Sequence, residues 1–169
     1  MNATARVFRS PVLLGRITTA LMLTGALSAV MAASGQVPVD RTLVYIIQAA
    51  AIFTLMLWTY RVYLNLGAFI GFTELRFGPG WAAVAYIVPI ANLFVPYRAL
   101  AELTSADTPT GALHRLTLML WWPVYLTALA TVDDASPALV WTGAVALCLA
   151  AAVGWHLIST VNRRQARFQ

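Results

Sequence analysis

The chain has 169 residues, of which 60% are hydrophobic and only 10% charged. A soluble globular chain carries roughly 25% charged residues, so this one cannot clothe a water-facing surface and must turn its apolar surplus to lipid. The net charge of +5 would suggest nucleic-acid binding in a soluble domain, but all eleven basic residues are Arg and cluster at the ends of apolar segments, which is a pattern of membrane topology.

The first apolar segment covers residues 12–33, with Arg6, Arg9 and Arg16 at its start. Its length suits a span, which needs about 20 apolar residues, and exceeds the roughly 7–15 of a signal-peptide core. The sequence therefore predicts that it stays attached as a first span. A polar turn with Pro38 and Asp40 leads to a second span over 43–60, closed by Trp58 and Tyr60, aromatics that favour the membrane–water interface. Residues 61–77 mix Arg61, Asn65, Glu74 and Arg76 with Val62, Leu66, Phe69 and Ile70 at helical spacing. That pattern predicts an interfacial helix or an extension of the second span. Gly78, Pro79 and Gly80 then break any helix.

Residues 81–97 are apolar but interrupted by Pro89 and Pro96, with Asn92 between them. Proline removes a backbone donor, and broken backbone at membrane depth survives only where protein or water satisfies it. The expectation is a segment that enters the membrane, bends at Pro89 to Asn92 and returns, the Asn92 amide bonding the freed backbone groups. Polar residues 98–115 follow, with Glu102, Asp107, Pro109 and Gly111. A third full span covers 116–132, with Pro123 inside, and after Asp133, Asp134 and Pro137 a fourth covers 138–158. The fold class is thus all-α, a single membrane domain of four transmembrane helices plus a Pro-broken re-entrant or interfacial segment.

Charge sets the orientation. With four crossings, Arg6, Arg9, Arg16, Arg61, Arg76, Arg98, Arg115, Arg163, Arg164 and Arg167 share one side and only Arg41 faces the other. The positive-inside rule makes the Arg-rich side cytoplasmic, with both termini there, in the cell inner membrane. Small residues spaced by four, Gly25, Ala29 and Ala33 and again Ala146, Ala150 and Gly154, mark faces where helices can approach closely.

Polar residues near lipid are costly unless paired, which singles out Arg61, Asn65, Asn92, Arg98 and Glu102. Glu102 can pair with Arg61 across the connecting regions, or with Arg98 one turn earlier. Gln48 suits an interhelical hydrogen bond. His156 suits the interface, His114 a solvated loop and Cys148, the one cysteine, a small packing position. No phosphate loop, zinc-protease or serine-hydrolase motif is present, so no catalytic residue, metal or cofactor is expected.

Trp58, Tyr60-Arg61, Tyr63 and Asn65-Leu66 are followed by Pro79-Gly80-Trp81, then by Pro89-Ile90-Ala91-Asn92-Leu93 and Pro96-Tyr97. In these residues the stretch 58–103 resembles the bacterial membrane family called domain of unknown function 4328. It departs from that pattern at Tyr86, where the family often has Trp, and at Leu103-Thr104, where another aromatic is common. The resemblance implies a multi-span bacterial membrane protein marked by the broken segment, and implies no activity. Together these features predict a non-catalytic scaffold or regulatory protein. Its partners would be the bilayer, anionic headgroups on the cytoplasmic side, and a membrane protein or further copies of itself. The alternative is a small oligomeric channel or transporter with its site at residues 81–97; an enzyme acting on lipid ranks third.

Overall fold

The computed structural model describes residues 9–36, 38–105, 112–131 and 136–166. Arg6, Asp107, Pro109, Gly111, Asp133, Asp134 and Arg167 lie outside them, as do the side chains of His114 and Arg115. Among the described residues there are six α-helices and no strand: α1 Val12–Ser34, α2 Arg41–Ile70, α3 Pro79–Val84, α4 Ala91–Ser105, α5 Ala112–Ala130 and α6 Pro137–Gln165.

Local chemistry sets the ends. Gly35 closes α1 in the left-handed conformation (φ 65°), which costs an L side chain strain but not glycine. Asp40 caps α2 by accepting a hydrogen bond from the Thr42 N–H at 2.8 Å. That backbone bond holds the Asp40 carboxyl below its ordinary pKa, so the cap is complete above the carboxylate range and fades as pH falls through it. Pro137 opens α6 at a position where its missing N–H costs nothing, and Arg163 and Arg164 in the last turn suit the negative end of the helix dipole.

Three helices, α1, α2 and α6, are long and apolar enough to cross a membrane; among the described residues α5 carries a shorter apolar stretch, Leu116–Ala130. Of the four expected spans, three therefore meet the length of a span outright. At 1.5 Å per residue the 30 residues of α2 measure about 45 Å, some 15 Å more than a hydrocarbon core of about 30 Å. The excess is the stretch from Arg61 to Ile70, which continues α2 without interruption rather than forming a separate interfacial helix; residues 71–78 are not helical.

The helices pack through their small residues. A Cβ on Gly25 of α1 would lie 2.7 Å from the Gln48 amide of α2, and one on Gly154 of α6 would lie 3.2 Å from both Met22 of α1 and Trp121 of α5. The alanines beside them, Ala29 and Ala150, are buried. Large side chains fill the space between: Trp58, Tyr63, Trp122 and Tyr125 are all fully buried. Trp122 stacks on Tyr125 with centroids 5.3 Å apart and meets Tyr86 edge-on at 4.9 Å. The outer faces carry Leu13, Leu27, Phe53, Leu57, Leu149 and Trp155, all strongly exposed. Cys148 is exposed among them, not packed inside as its position in an apolar run predicted, because it falls on the outward side of α6.

The proline segment is a helical hairpin. α3 is followed by a turn over residues 85–90 and then by α4. Its two ends meet where the Arg76 N–H donates to Glu102 Oε1 at 2.8 Å. Three of the expected breakers do not break it. Pro79 is the first residue of α3 and Gly80 lies inside that helix, while Pro96 is buried within α4. A proline at a helix start gives up a donor that has no helical partner anyway, and one inside gives up a single bond, here to the Asn92 carbonyl. Pro89 does lie in the turn.

Candidate functional site

The polar side chains concentrate at the end of the bundle that holds Arg9 and Gln165. The α2 residues Trp58 and Asn65 are seven apart, two helical turns, and so share a face. Asn162 and Gln165 of α6, three apart, share the opposing one. Trp58 Nε1 donates to Asn162 Oδ1 at 2.9 Å. Asn65 Nδ2 donates to Gln165 Oε1 at 2.8 Å and to the Arg9 carbonyl at 3.0 Å, while Asn65 Oδ1 accepts from the Arg9 N–H at 3.3 Å. Gln165 Nε2 returns to the Val62 carbonyl at 3.0 Å. Asn65 is 3% exposed and Gln165 5%, so each amide is spent on a neighbouring element rather than on water.

A second cluster sits on another face of α2. Tyr63 Oη donates to Glu102 Oε2 at 2.8 Å, and the Arg76 N–H takes the other oxygen. Nearby, an Arg164 guanidinium nitrogen donates to the Thr104 carbonyl, tying α6 to the end of α4. Arg76, Tyr97, Arg98, Ala101 and Glu102 line an open pocket of about 510 Å³. Deeper in, Trp122 Nε1 donates to Asn92 Oδ1, Tyr125 Oη donates to Gln48 Oε1 at 2.5 Å, and Trp121 Nε1 donates to the Ala150 carbonyl at 2.7 Å. The interhelical role expected of Gln48 is thus realised, with α5 as its partner.

The five singled-out residues do not form one constellation. Asn65 binds α6 and the Arg9 segment, Glu102 binds Tyr63 and Arg76, Asn92 binds α5, and Arg98 is exposed in the Glu102 pocket. The expected Arg61–Glu102 pair does not form. Residues two apart on a helix point to nearly opposite sides, so where Tyr63 faces α4, Arg61 faces the Arg9 segment. Arg98, the local alternative, lines the same pocket as Glu102, whose oxygens accept from Tyr63 and the Arg76 N–H. Asn92 does not bond the backbone freed by Pro89: its own N–H reaches the Val88 carbonyl at 2.7 Å, and its side chain serves the Trp122 indole instead. An indole N–H buried in an aromatic core has few other acceptors, and that demand decides the matter.

Tyr63, Asn162, Gln165, Trp121, Trp122 and Tyr125 are members of this network that sequence reasoning passed over. Asn162 and Gln165 lie in a run rich in Arg, beyond the expected end of the last span, and Trp121, Trp122 and Tyr125 lie inside the expected third span. The available signal was their spacing: Asn162 and Gln165 repeat at i, i+3 on the face that meets Trp58 and Asn65. His156 is exposed on α6. Among the described residues no group of three or more His, Cys, Asp or Glu is placed to hold a metal ion.

Asn92→Leu should remove the acceptor of one buried indole and cost about 1–2 kcal/mol. The expected result is a fall of roughly 2–8 °C in the unfolding midpoint in detergent. Trp122→Phe should cause a loss of the same kind, and the double variant should fall little further than the worse single one. Additive losses would show that the two residues act separately.

A helical bundle with three helices fit to cross a membrane, a helical hairpin folded back beside them and a polar clasp at one end defines a membrane-type helical domain. The family described as domain of unknown function (DUF4328) matches residues 24–166, and the chain belongs to that family. The match extends the resemblance of the central stretch to both flanking helical regions. No curated protein and no solved structure matches the chain.

Proposed function

We propose that the protein is a multi-pass membrane protein of the bacterial inner membrane that acts as a non-catalytic scaffold for another membrane protein. The observation that carries this reading is the use made of the polar side chains. Asn65, Glu102, Asn92, Gln165 and Tyr63 are all hydrogen-bonded to other parts of the chain. Groups spent on holding helices together rigidify a framework. The alternative of an oligomeric channel has to place its conduit between copies, since the large aromatics Trp58, Tyr63, Trp122 and Tyr125 fill the space between helices of one copy.

In this reading α1, α2, α5 and α6 cross the bilayer and the α3–α4 hairpin enters and leaves on one side. The contact of Arg76 with Glu102 supports the hairpin, and the proximity of Arg9, Asn65 and Gln165 supports an even number of crossings. The Arg-rich end is cytoplasmic by the positive-inside rule.

Single cysteines at Ser10, Asp40, Ala91 and Arg163, introduced after replacing Cys148 by Ser, test the topology by membrane-impermeant labelling. Ser10 and Arg163 should label from the cytoplasmic side, Asp40 from the other, and Ala91 not from the Asp40 side. Labelling of Ser10 and Arg163 from opposite sides would overturn the four-crossing arrangement. Gentle purification after crosslinking in native membranes tests the scaffold: a second membrane protein at fixed stoichiometry is expected. Solute or ion flux through vesicles holding this chain alone, lost on Asn92→Leu, would overturn it in favour of the channel.

A further inference from the structure

The lip of the bundle between α1 and α2 holds a cleft of about 350 Å³ lined by Arg9, Ser10, Leu14, Leu57, Tyr60 and Arg61. Two of its six lining residues are cationic and none is anionic. The first acidic residue in the sequence is Asp40, so the segment leading into α1 supplies no carboxylate. Asp40 itself caps the far end of α2, 21 residues from Arg61, a distance of about 31 Å along the helix. The nearest carboxylate along α2's other neighbour, Glu102, is engaged by Tyr63 and Arg76.

Arg61 is held in an unusual state for an arginine. Its Nη2 is cut off from solvent and has no hydrogen-bond partner among the described residues. A guanidinium carries five N–H donors in a planar fork that matches two oxygens of a phosphate. Leaving a shielded charged donor unsatisfied is expensive, and a second guanidinium beside it adds repulsion. An anion between Arg9 and Arg61 relieves the repulsion and compensates the poorly solvated charge of Arg61, and the hydroxyls of Ser10 and Tyr60 provide further donors at the rim.

From this cleft we infer a binding site for the phosphate of an anionic phospholipid, gripped by Arg9 and Arg61 with an acyl chain running along Leu14 and Leu57. The inference rests on the membrane reading above. The cleft opens on the outside of the bundle: Tyr60 is 43% exposed and Leu57 41% exposed, one turn of α2 further toward its apolar middle. A soluble anion has no use for that apolar wall, whereas a lipid needs a charged mouth continuous with one. Such a site orders lipid at the Arg-rich end of the bundle and fixes the depth of α2 in the bilayer.

The test uses the full chain in mild detergent and counts bound phospholipid by native mass spectrometry, with equal amounts of phosphatidylglycerol and phosphatidylcholine. Phosphatidylglycerol should be retained several-fold over phosphatidylcholine. Arg9→Gln and Arg61→Gln should each weaken its retention about fivefold, the effect of one arginine at an anionic surface. Arg163→Gln, an equal loss of charge on the exposed last turn of α6, should leave the preference in place. Arg9 is exposed, so its variant tests the site even if Arg61→Gln fails to fold. Equal retention of the two lipids, or a preference that survives the Arg9→Gln, Arg61→Gln double variant, would overturn the site while leaving the membrane reading intact. Millimolar inorganic phosphate that displaces phosphatidylglycerol would overturn the lipid as its ligand. Retention of neither lipid, with Ser10 and Asp40 labelled from the same side, would overturn the membrane reading itself.

Discussion

Glu102→Ala should lower the unfolding midpoint of the purified protein by roughly 6–12 °C, from a loss on the order of 3 kcal/mol. One carboxylate joins the two ends of the hairpin. Its two oxygens accept from the Tyr63 hydroxyl and from the Arg76 backbone, each at 2.8 Å, and so join α2, the loop before α3, and α4. Hydrogen bonds to a charged acceptor are worth about 1.5–3 kcal/mol each, and the half-buried position of Glu102 places this pair toward the lower end. Alanine also strands the Tyr63 hydroxyl, which sits on a fully buried side chain. Tyr63→Phe removes one of the two bonds together with its donor and should cost about half as much. Glu102→Gln keeps an acceptor and should fall between the parent and the alanine variant. The local readout is hydrogen exchange: amides of residues 76–102 should exchange faster in Glu102→Ala while those of α1 and α6 hold near parent rates. A melting point within a degree of the parent, or a uniform rise in exchange across all helices, would show that the hairpin is closed by something else.

Asn65→Leu should be of similar size, about 3 kcal/mol, and should act on the opposite face of α2. The side chains are close in volume, so the loss is one of hydrogen bonds rather than of packing. Leucine leaves three groups without their partner: the Arg9 N–H, the Arg9 carbonyl and Gln165 Oε1. Each stranded buried polar group costs about 1–3 kcal/mol, less where water can reach it, as at the exposed Arg9. Gln165→Leu strands Asn65 in turn, and a cycle of the two single variants with the double one should show a coupling of about 1–2 kcal/mol. Asn65→Asp keeps an acceptor for the Arg9 N–H, loses both donated bonds and places a carboxylate against the Gln165 oxygen, so it should melt at or below the leucine variant. Strictly additive losses in the Asn65, Gln165 cycle would show that the bond between them contributes nothing.

The amino-acid sequence alone determined the all-helical class and the place of the three long apolar helices. Scarce charge and long apolar runs mark where α1, α2 and α6 begin and where α1 ends, because length and hydrophobicity are local properties that no packing partner alters, while α2 and α6 run on past the expected ends at Tyr60 and Ile158 to Ile70 and Gln165. The turn at Pro89 is local in the same sense, since a missing N–H acts wherever the residue lies. The continuation of α2 past Tyr60 was legible only as one of two options, because a polar helix can end at the interface or pass through it, and nothing in the residues themselves decides which. Partner choice belongs entirely to the tertiary structure. Glu102 accepts from a tyrosine of α2 rather than pairing with Arg61, two residues before that tyrosine, because the rotation of α2 turns Tyr63 toward α4 and Arg61 away from it. Asn92 had freed backbone close at hand and instead serves an indole 30 residues away, since only packing α4 on α5 brings that buried donor within reach. A hydrogen bond depends on where a side chain points in three dimensions, and for residues a hundred positions apart, such as Asn65 and Gln165, helix packing sets that direction.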